Sequence, residues 1–183
     1  FSCPSNGDCK LQELCFEYGI ERTTYSGEQT ELPIDDSNKF FIYNPNLCIL
    51  CHRCVNTCHK IVGRGAIDTM ERGFDSAIGT PFHIDWADTN CESCGNCVQA
   101  CPTGALTMKR RKNYRKYQID KKVLTTCPHC ATGCQYYLLV KDNKIVDVEG
   151  ANGASNKGLL CVKGRSASFD FVHSGDRIKY PLI

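Results

Sequence analysis

Twelve of the fifteen cysteines in this chain of 183 residues fall into three tight groups of four. The groups are Cys48, Cys51, Cys54 and Cys58; Cys91, Cys94, Cys97 and Cys101; and Cys127, Cys130 and Cys134 with Cys161 returning later. Thiols spaced two or three residues apart along one segment suit pairwise disulfides poorly, because each bridge needs its own Cβ geometry. They suit several thiolates around one inorganic core. Metal is therefore expected to organise this fold, in a reducing or anaerobic setting.

The first two groups share the form C-x2-C-x2-C-x3-C at a constant offset of 43 residues, and related tripeptides follow them, Gly65-Ala66-Ile67 and Gly104-Ala105-Leu106. This is the spacing by which bacterial ferredoxins hold two [4Fe-4S] cubanes: three thiolates wrap one cluster and the fourth ligates the other. The expected sets are Cys48, Cys51, Cys54 with Cys101, and Cys91, Cys94, Cys97 with Cys58. Pro102 follows Cys101, as the run requires. His59 follows Cys58, and the stretch to Gly65 is four residues longer, so the local turn is expected to differ while the ligands stay. Two interleaved runs argue against zinc.

The third set, Cys127, Cys130, Cys134 and Cys161, taken alone suits either a zinc site or a third cluster. Gly133 before Cys134 and the cations Lys163 and Arg165 after Cys161 favour the cluster, and a lysine beside it suggests an electron exit. Cys3 and Cys9, five residues apart, read as core thiols, a disulfide, or the end of a further cluster-binding segment. Cys15 reads as a small core thiol. His52, His59 and His129, inside the cysteine runs, are expected to donate hydrogen bonds rather than ligate, and His83 and His173 have no evident partner.

Between these groups the chain is expected to alternate small elements. Leu11, Leu14, Cys15 and Tyr18 recur with helical period, so Lys10 to Tyr18 is predicted as a short helix with a buried stripe, capped by Gly19. Thr23 to Asn38 reads as a polar linker, and Arg72 to Asp88, with Gly73, Gly79, Pro81 and Trp86, as an insertion loop packing on the twin-run unit. Lys109 to Lys116 holds six cations in eight residues. It reads as a solvated linker or as a surface for cofactor phosphates or an acidic partner. Strands are predicted at Lys121 to Thr126, Tyr136 to Val140 and Ile145 to Val148, with a loop from Gly150 to Lys157.

At 42% apolar and 23% charged residues the chain can core one or two domains and is no disordered tail. No run approaches the roughly eighteen apolar residues of a membrane span. It starts without methionine or signal pattern and is expected to be a piece of a longer polypeptide. The formal charge of +2 would move to roughly −4 with three clusters at about −2 each, so nucleic acid is not an implied partner.

Cys127-Pro128-His129-Cys130-Ala131-Thr132-Gly133-Cys134, Gly158 to Arg165, Phe169 to Arg177 and Tyr180-Pro181-Leu182-Ile183 closely resemble the iron–sulfur domain of molybdopterin oxidoreductases. Within that superfamily the chain most resembles the catalytic subunit of metal-dependent formate dehydrogenases. The twin run and the Cys3 to Leu14 segment are similar to the N-terminal extension shared by cytoplasmic NAD-linked formate dehydrogenases, iron-only hydrogenases and the large iron–sulfur subunit of respiratory NADH dehydrogenase. The resemblance implies an α+β chain: the end of a His/Cys cluster domain at 1–33, a ferredoxin-like twin [4Fe-4S] domain at 34–112, and a small β-rich [4Fe-4S] domain at 113–183. It implies that Cys3 and Cys9 are thiolates of a cluster completed upstream by a cysteine and a histidine, and that Lys163 lies between the third cluster and a pterin cofactor. Molybdenum or tungsten on two pterin guanine dinucleotides would follow Ile183, leaving no catalytic residue in this segment. The implied activity is formate oxidation or carbon dioxide reduction in the cytoplasm. Electrons would pass to flavin/NAD(P)-, ferredoxin- or hydrogenase-linked subunits. The alternative is a non-catalytic relay like the NADH dehydrogenase subunit; Lys163-Gly164-Arg165 and Phe169 to Asp176 favour the enzyme.

Overall fold

The structure, a computed structural model, describes residues 3–28 and 30–181; Leu182 and Ile183 of the resembling tail lie outside the described residues. The chain divides into two compact units, Phe1–Tyr117 and Gln118–Ile183. In the first, a turn at Asn6-Gly7-Asp8 leads into α1 (Lys10–Glu17), closed by Gly19 at φ 65°. The helix lies where its period placed it, but its apolar stripe stays outside a core. Leu11 and Leu14 are 42% and 39% exposed, Tyr18 is 72% exposed and Cys15 is half-buried. Local bonds carry it instead: Cys9 O accepts the Glu13 N–H, and Lys10 pairs with Glu13.

The expected linker is tied down in its second half. The Asn46 side chain accepts the Leu32 N–H at 2.9 Å and donates to Leu32 O at 2.8 Å, imitating a strand partner. Asp35 pairs its backbone with Tyr43, and its carboxylate accepts the N–H groups of Ser37 and Trp86. Residues 30–38 thus form a strap, not a free tether.

Strand β1 (Phe41–Tyr43) precedes the first cysteine run, α2 (Arg53–Asn56) lies within it and β2 (Asp68–Met70) follows. The second run repeats this order with β3 (Ala77–Gly79), α3 (Asn96–Ala100) and β4 (Leu106–Met108). Pairing crosses the halves: β1 runs antiparallel to β4, and β2 to β3. This crossing makes one body of the two repeats, and Phe41, Tyr43, Ile67, Ile78, Leu106 and Met108 form its core. Trp86 of the insertion completes that core, edge-on to Phe41 with centroids 5.0 Å apart, and 5.6 Å from Tyr43. The four extra residues after Cys58 are absorbed by a π-helical turn, Thr57–Val62, closed by Gly63 at φ 75°.

The basic run is not a solvated linker, and its cations find partners within the unit. Lys109–Asn113 folds as a 3-10 turn. Arg111 and Lys116 bind the two oxygens of Asp8 at 3.2 and 3.1 Å, and Lys109 meets Asp36 at 2.6 Å. The Arg111 and Asp8 side chains are only 17% and 29% exposed, so this clasp works in a reduced dielectric where ion pairs count for more than on open surface.

The second unit is a three-stranded antiparallel sheet of β5 (Lys121–Thr126), β6 (Gln135–Lys141) and β7 (Lys144–Gly150) in chain order. These are the predicted strands, two of them longer at their ends. Asp142 and Asn143 take the left-handed conformation of a two-residue hairpin turn, which their short polar side chains tolerate. α4 (Val162–Ser166) follows, and Cys127, Tyr136, Val148, Leu160 and Phe169 make a small core. Among the described residues no helix is long and apolar enough to cross a membrane.

Candidate iron–sulfur sites

Cys48, Cys51, Cys54 and Cys101 line one pocket, walled by Tyr43, Ile49, Ile78, Ala105 and Leu106. Cys91, Cys94, Cys97 and Cys58 line a second, walled by Val62, Ala66, Ile67 and Trp86. In each, the fourth thiol comes from the other run. The backbone that turns these thiols inward is repeated as well: Leu50 and Ser93, at matched positions, have φ 52° and 53°, and His52 and Gly95, just before α2 and α3, have φ 58° and 70°. A bulky residue such as Leu50 is held there against its preference. The kink aims N–H groups at sulfur, from Leu50 to Cys48 and from Ser93 to Cys91 at 3.4 Å, and Ala66 adds one to Cys58 at 3.3 Å. Such donors favour thiolates.

Burial works the other way. It pushes the Cys54 thiol up to about 12 and the Cys97 thiol well above its ordinary value, and it raises Cys48 and Cys91 too. A thiol of this kind keeps its proton until a metal displaces it. Thr103 fixes the return turn of the first cavity: its hydroxyl donates to Leu47 O at 2.9 Å and lies 3.6 Å from Cys101 Sγ.

In the second unit Cys127 follows β5 directly, its N–H donates to Cys134 O at 2.8 Å, and Cys161 precedes α4. Gly164 of α4 passes close to Cys127, where an added Cβ would be 3.6 Å from the sulfur. Burial raises the Cys134 thiol, and the nearby Cys127, Cys130 and Cys161 thiols raise it further, so the four sulfurs act on one another. Cys130 shifts downward, because Thr132 stabilises its thiolate and the Lys163 cation adds to that. Sequence reasoning missed Asn156, which lies in a loop of glycine, asparagine and serine. Its oxygen accepts the Gln135 N–H, and its amide nitrogen reaches the carbonyls of Gln135, Ala151 and Leu159 at 2.9, 3.0 and 2.9 Å. This one side chain ties the segment after Cys134 to the segment before Cys161.

Cys3 and Cys9 are free thiols, half-buried and buried. His59 binds Ile67 O at 2.8 Å, and His52 lines the first cavity. His83 pairs with Glu71 and His173 accepts the Ile145 N–H, partners the sequence did not show. Among the described residues no three His, Cys, Asp or Glu side chains converge as a single ion requires. In the first unit the thiols instead ring two apolar cavities with N–H donors at the sulfurs, a donor set that fits a [4Fe-4S] group.

Residues 42–107 match the ferredoxin-like domain of NADH-quinone oxidoreductase subunit 3, residues 90–138 a 4Fe-4S dicluster domain, and residues 120–173 the molybdopterin oxidoreductase Fe4S4 domain. The chain is 35% identical over 181 residues to the NADPH-Fe(3+) oxidoreductase subunit alpha of Geobacter sulfurreducens, and 36% over 185 residues to an NADH-quinone oxidoreductase subunit of Rhizobium meliloti. Each match takes in 99% of this chain and 21% of the relative. A Staphylococcus aureus protein provisionally named a formate dehydrogenase is 28% identical over 220 residues, with 98% of this chain and 22% of the relative covered. An NAD+-reducing [NiFe]-hydrogenase structure superposes with a TM-score of 0.55 at 29% identity, over 59% of this chain and 46% of that one. The chain thus spans about a fifth of the length of these curated relatives. It carries ferredoxin-like 4Fe-4S domains followed by a molybdopterin oxidoreductase Fe4S4 domain, the domains of an iron–sulfur electron-transfer segment.

Proposed function

We propose that this segment is the electron relay of a longer oxidoreductase chain, carrying electrons between a molybdenum or tungsten pterin site and a partner subunit. The observation that carries the reading is the exchange of the fourth thiol between two neighbouring cavities. Cys48, Cys51, Cys54 and Cys101 would hold one [4Fe-4S] cluster, Cys91, Cys94, Cys97 and Cys58 its twin, and Cys127, Cys130, Cys134 and Cys161 a third. Cys3 and Cys9 would contribute to one more. When bound, such clusters supply one-electron transfer at potentials set by charge, hydrogen bonding and exposure. The chain's own part is to wall them from water with Tyr43, Ile78, Ile67 and Trp86, and to direct N–H groups at the sulfurs. Lys163 would stand on the pterin side of the third cluster, and its pull on Cys130 agrees with that place.

Formate and carbon dioxide are the proposed substrate couple of the full-length protein, supported by the Staphylococcus aureus relative and the motifs past Cys161. A second reading, a relay without its own metal site, draws support from the NADH-quinone oxidoreductase relative at 36% identity. Elemental analysis of the full-length protein, purified without oxygen, separates them. About one molybdenum or tungsten per chain, with iron signals that appear on adding formate, supports the enzyme. Iron alone from a fully loaded preparation supports the relay.

A further inference from the structure

The return segments of the two cysteine runs differ in one backbone bond. Ala66 and Ala105 hold equivalent places in the tripeptides Gly65-Ala66-Ile67 and Gly104-Ala105-Leu106. At the second cavity the Ala66 N–H donates to Cys58 Sγ at 3.3 Å. At the first, the Ala105 N–H donates instead to the Thr103 hydroxyl at 3.3 Å. That hydroxyl gives its one proton to Leu47 O at 2.9 Å, so it has none for Cys101 Sγ, 3.6 Å away. The cause lies in the residues between. The short turn after Cys101 begins at Pro102, whose ring fixes φ. After Cys58 stands His59, and the longer stretch is wound as the π-helical turn Thr57–Val62. Side chains hold this turn at both ends. His59 donates its Nε2–H to Ile67 O at 2.8 Å, with the Asp68 carboxylate 3.4 Å from the same nitrogen, and its ring packs on Gly65, where a Cβ would be 3.5 Å away. Arg64 donates its Nε–H at 2.7 Å to Asn90 O, just before Cys91, and its guanidinium lies 3.4 Å from Glu92. These two anchors flank Ala66 and so fix the N–H that meets the sulfur.

We propose that His59 is a positioning residue: by holding the turn after Cys58 it aims the Ala66 N–H at that sulfur and makes the second twin site the more easily reduced of the two. This rests on the assignment of the two cysteine sets to clusters given above. A hydrogen bond to a ligating sulfur favours the reduced, more negative state and so raises the potential. The matched kinks at Leu50 and Ser93 give each site one N–H to its first thiol at the same 3.4 Å, so they do not separate the two. The bond to Cys58 does. An electron passing from the first site, which is oxidised, to the second, which is reduced, then moves downhill, with no covalent bond made or broken and no proton transferred.

The test is a potentiometric titration of the full-length protein, purified without oxygen and read by EPR. The signal lost in Cys48→Ala marks the first site and the signal lost in Cys91→Ala the second. In the wild type the second is expected to have the higher midpoint. His59→Ala is expected to lower that midpoint alone, so that the ratio of reduced second site to reduced first site at half reduction falls severalfold. His59→Gln, whose amide nitrogen can take the place of Nε2, is expected to restore most of it. Where His59→Ala does not hold iron at the second site, Arg64→Lys decides by the same reading, because it keeps the charge and loses the bond to Asn90; the expected fall is in the same direction. Equal or reversed midpoints in the wild type overturn the proposal. So does an unchanged second midpoint in His59→Ala, or in Arg64→Lys where that variant decides, a fall shared by both sites, or a fall that His59→Gln does not restore. A wild type without two signals that vanish separately in Cys48→Ala and Cys91→Ala overturns the cluster assignment instead, so the two failures are distinct.

Discussion

Cys54 and Cys97 are held as neutral thiols by burial, and this has a measurable consequence in the iron-free chain. An unfolded chain ionises its thiols near pH 9, while folded Cys54 keeps its proton until about pH 12. Their contribution to stability is therefore complete below pH 9 and lost as pH rises toward 12. Urea midpoints of the reduced, iron-free chain should fall across that window, and the iron-loaded protein, its thiolates already ligated, should lack this fall. Equal slopes in both forms would contradict the ligand assignment. The Cys134→Ala variant should lose the iron signal of the third set and keep those of the twin runs, as read by EPR. At this scale cysteine spacing made the thiols legible, because ligand geometry is written in local intervals. Thr103 and Asn156 were not legible, since one polar residue in a loop carries no period and acts only on groups brought close by folding.

Among the elements, the loop from Gly150 to Lys157 depends on Asn156 more than on any regular structure. Asn156→Ala would strand several backbone groups in a buried place and should cost the second unit about 3 kcal/mol, measured by denaturant unfolding. Iron at the third set should fall with it. Trp86→Ala should cost about 3–5 kcal/mol, because the indole is 3% exposed and packs between Phe41 and the wall of the second cavity. The predicted helix and strands were legible from period, and their ends shifted only by a few residues. The buried stripe of α1 was not, because period shows which residues share a face but not whether anything covers it. The basic run misled for a related reason. Clustered cations look solvated until Asp8 and Asp36, distant in sequence, are brought to them.

At the scale of the whole molecule, two copies of a strand–cysteine run–strand unit pair their strands crosswise and trade their last thiols. Neither copy completes a cavity alone, so folding and metal loading of the first unit are expected to be one cooperative event. The exchange of the fourth thiols could be anticipated from the repeat, whereas the crossed pairing of three-residue strands, the strap and the ionic clasp left no sequence signature. The most direct test of the exchange is to compare single cysteine variants by EPR after anaerobic purification. Cys101→Ala should abolish or alter the same signal as Cys48→Ala, and Cys58→Ala the same signal as Cys91→Ala. If Cys101→Ala instead matches Cys91→Ala, each run serves only its own cluster and the account is wrong.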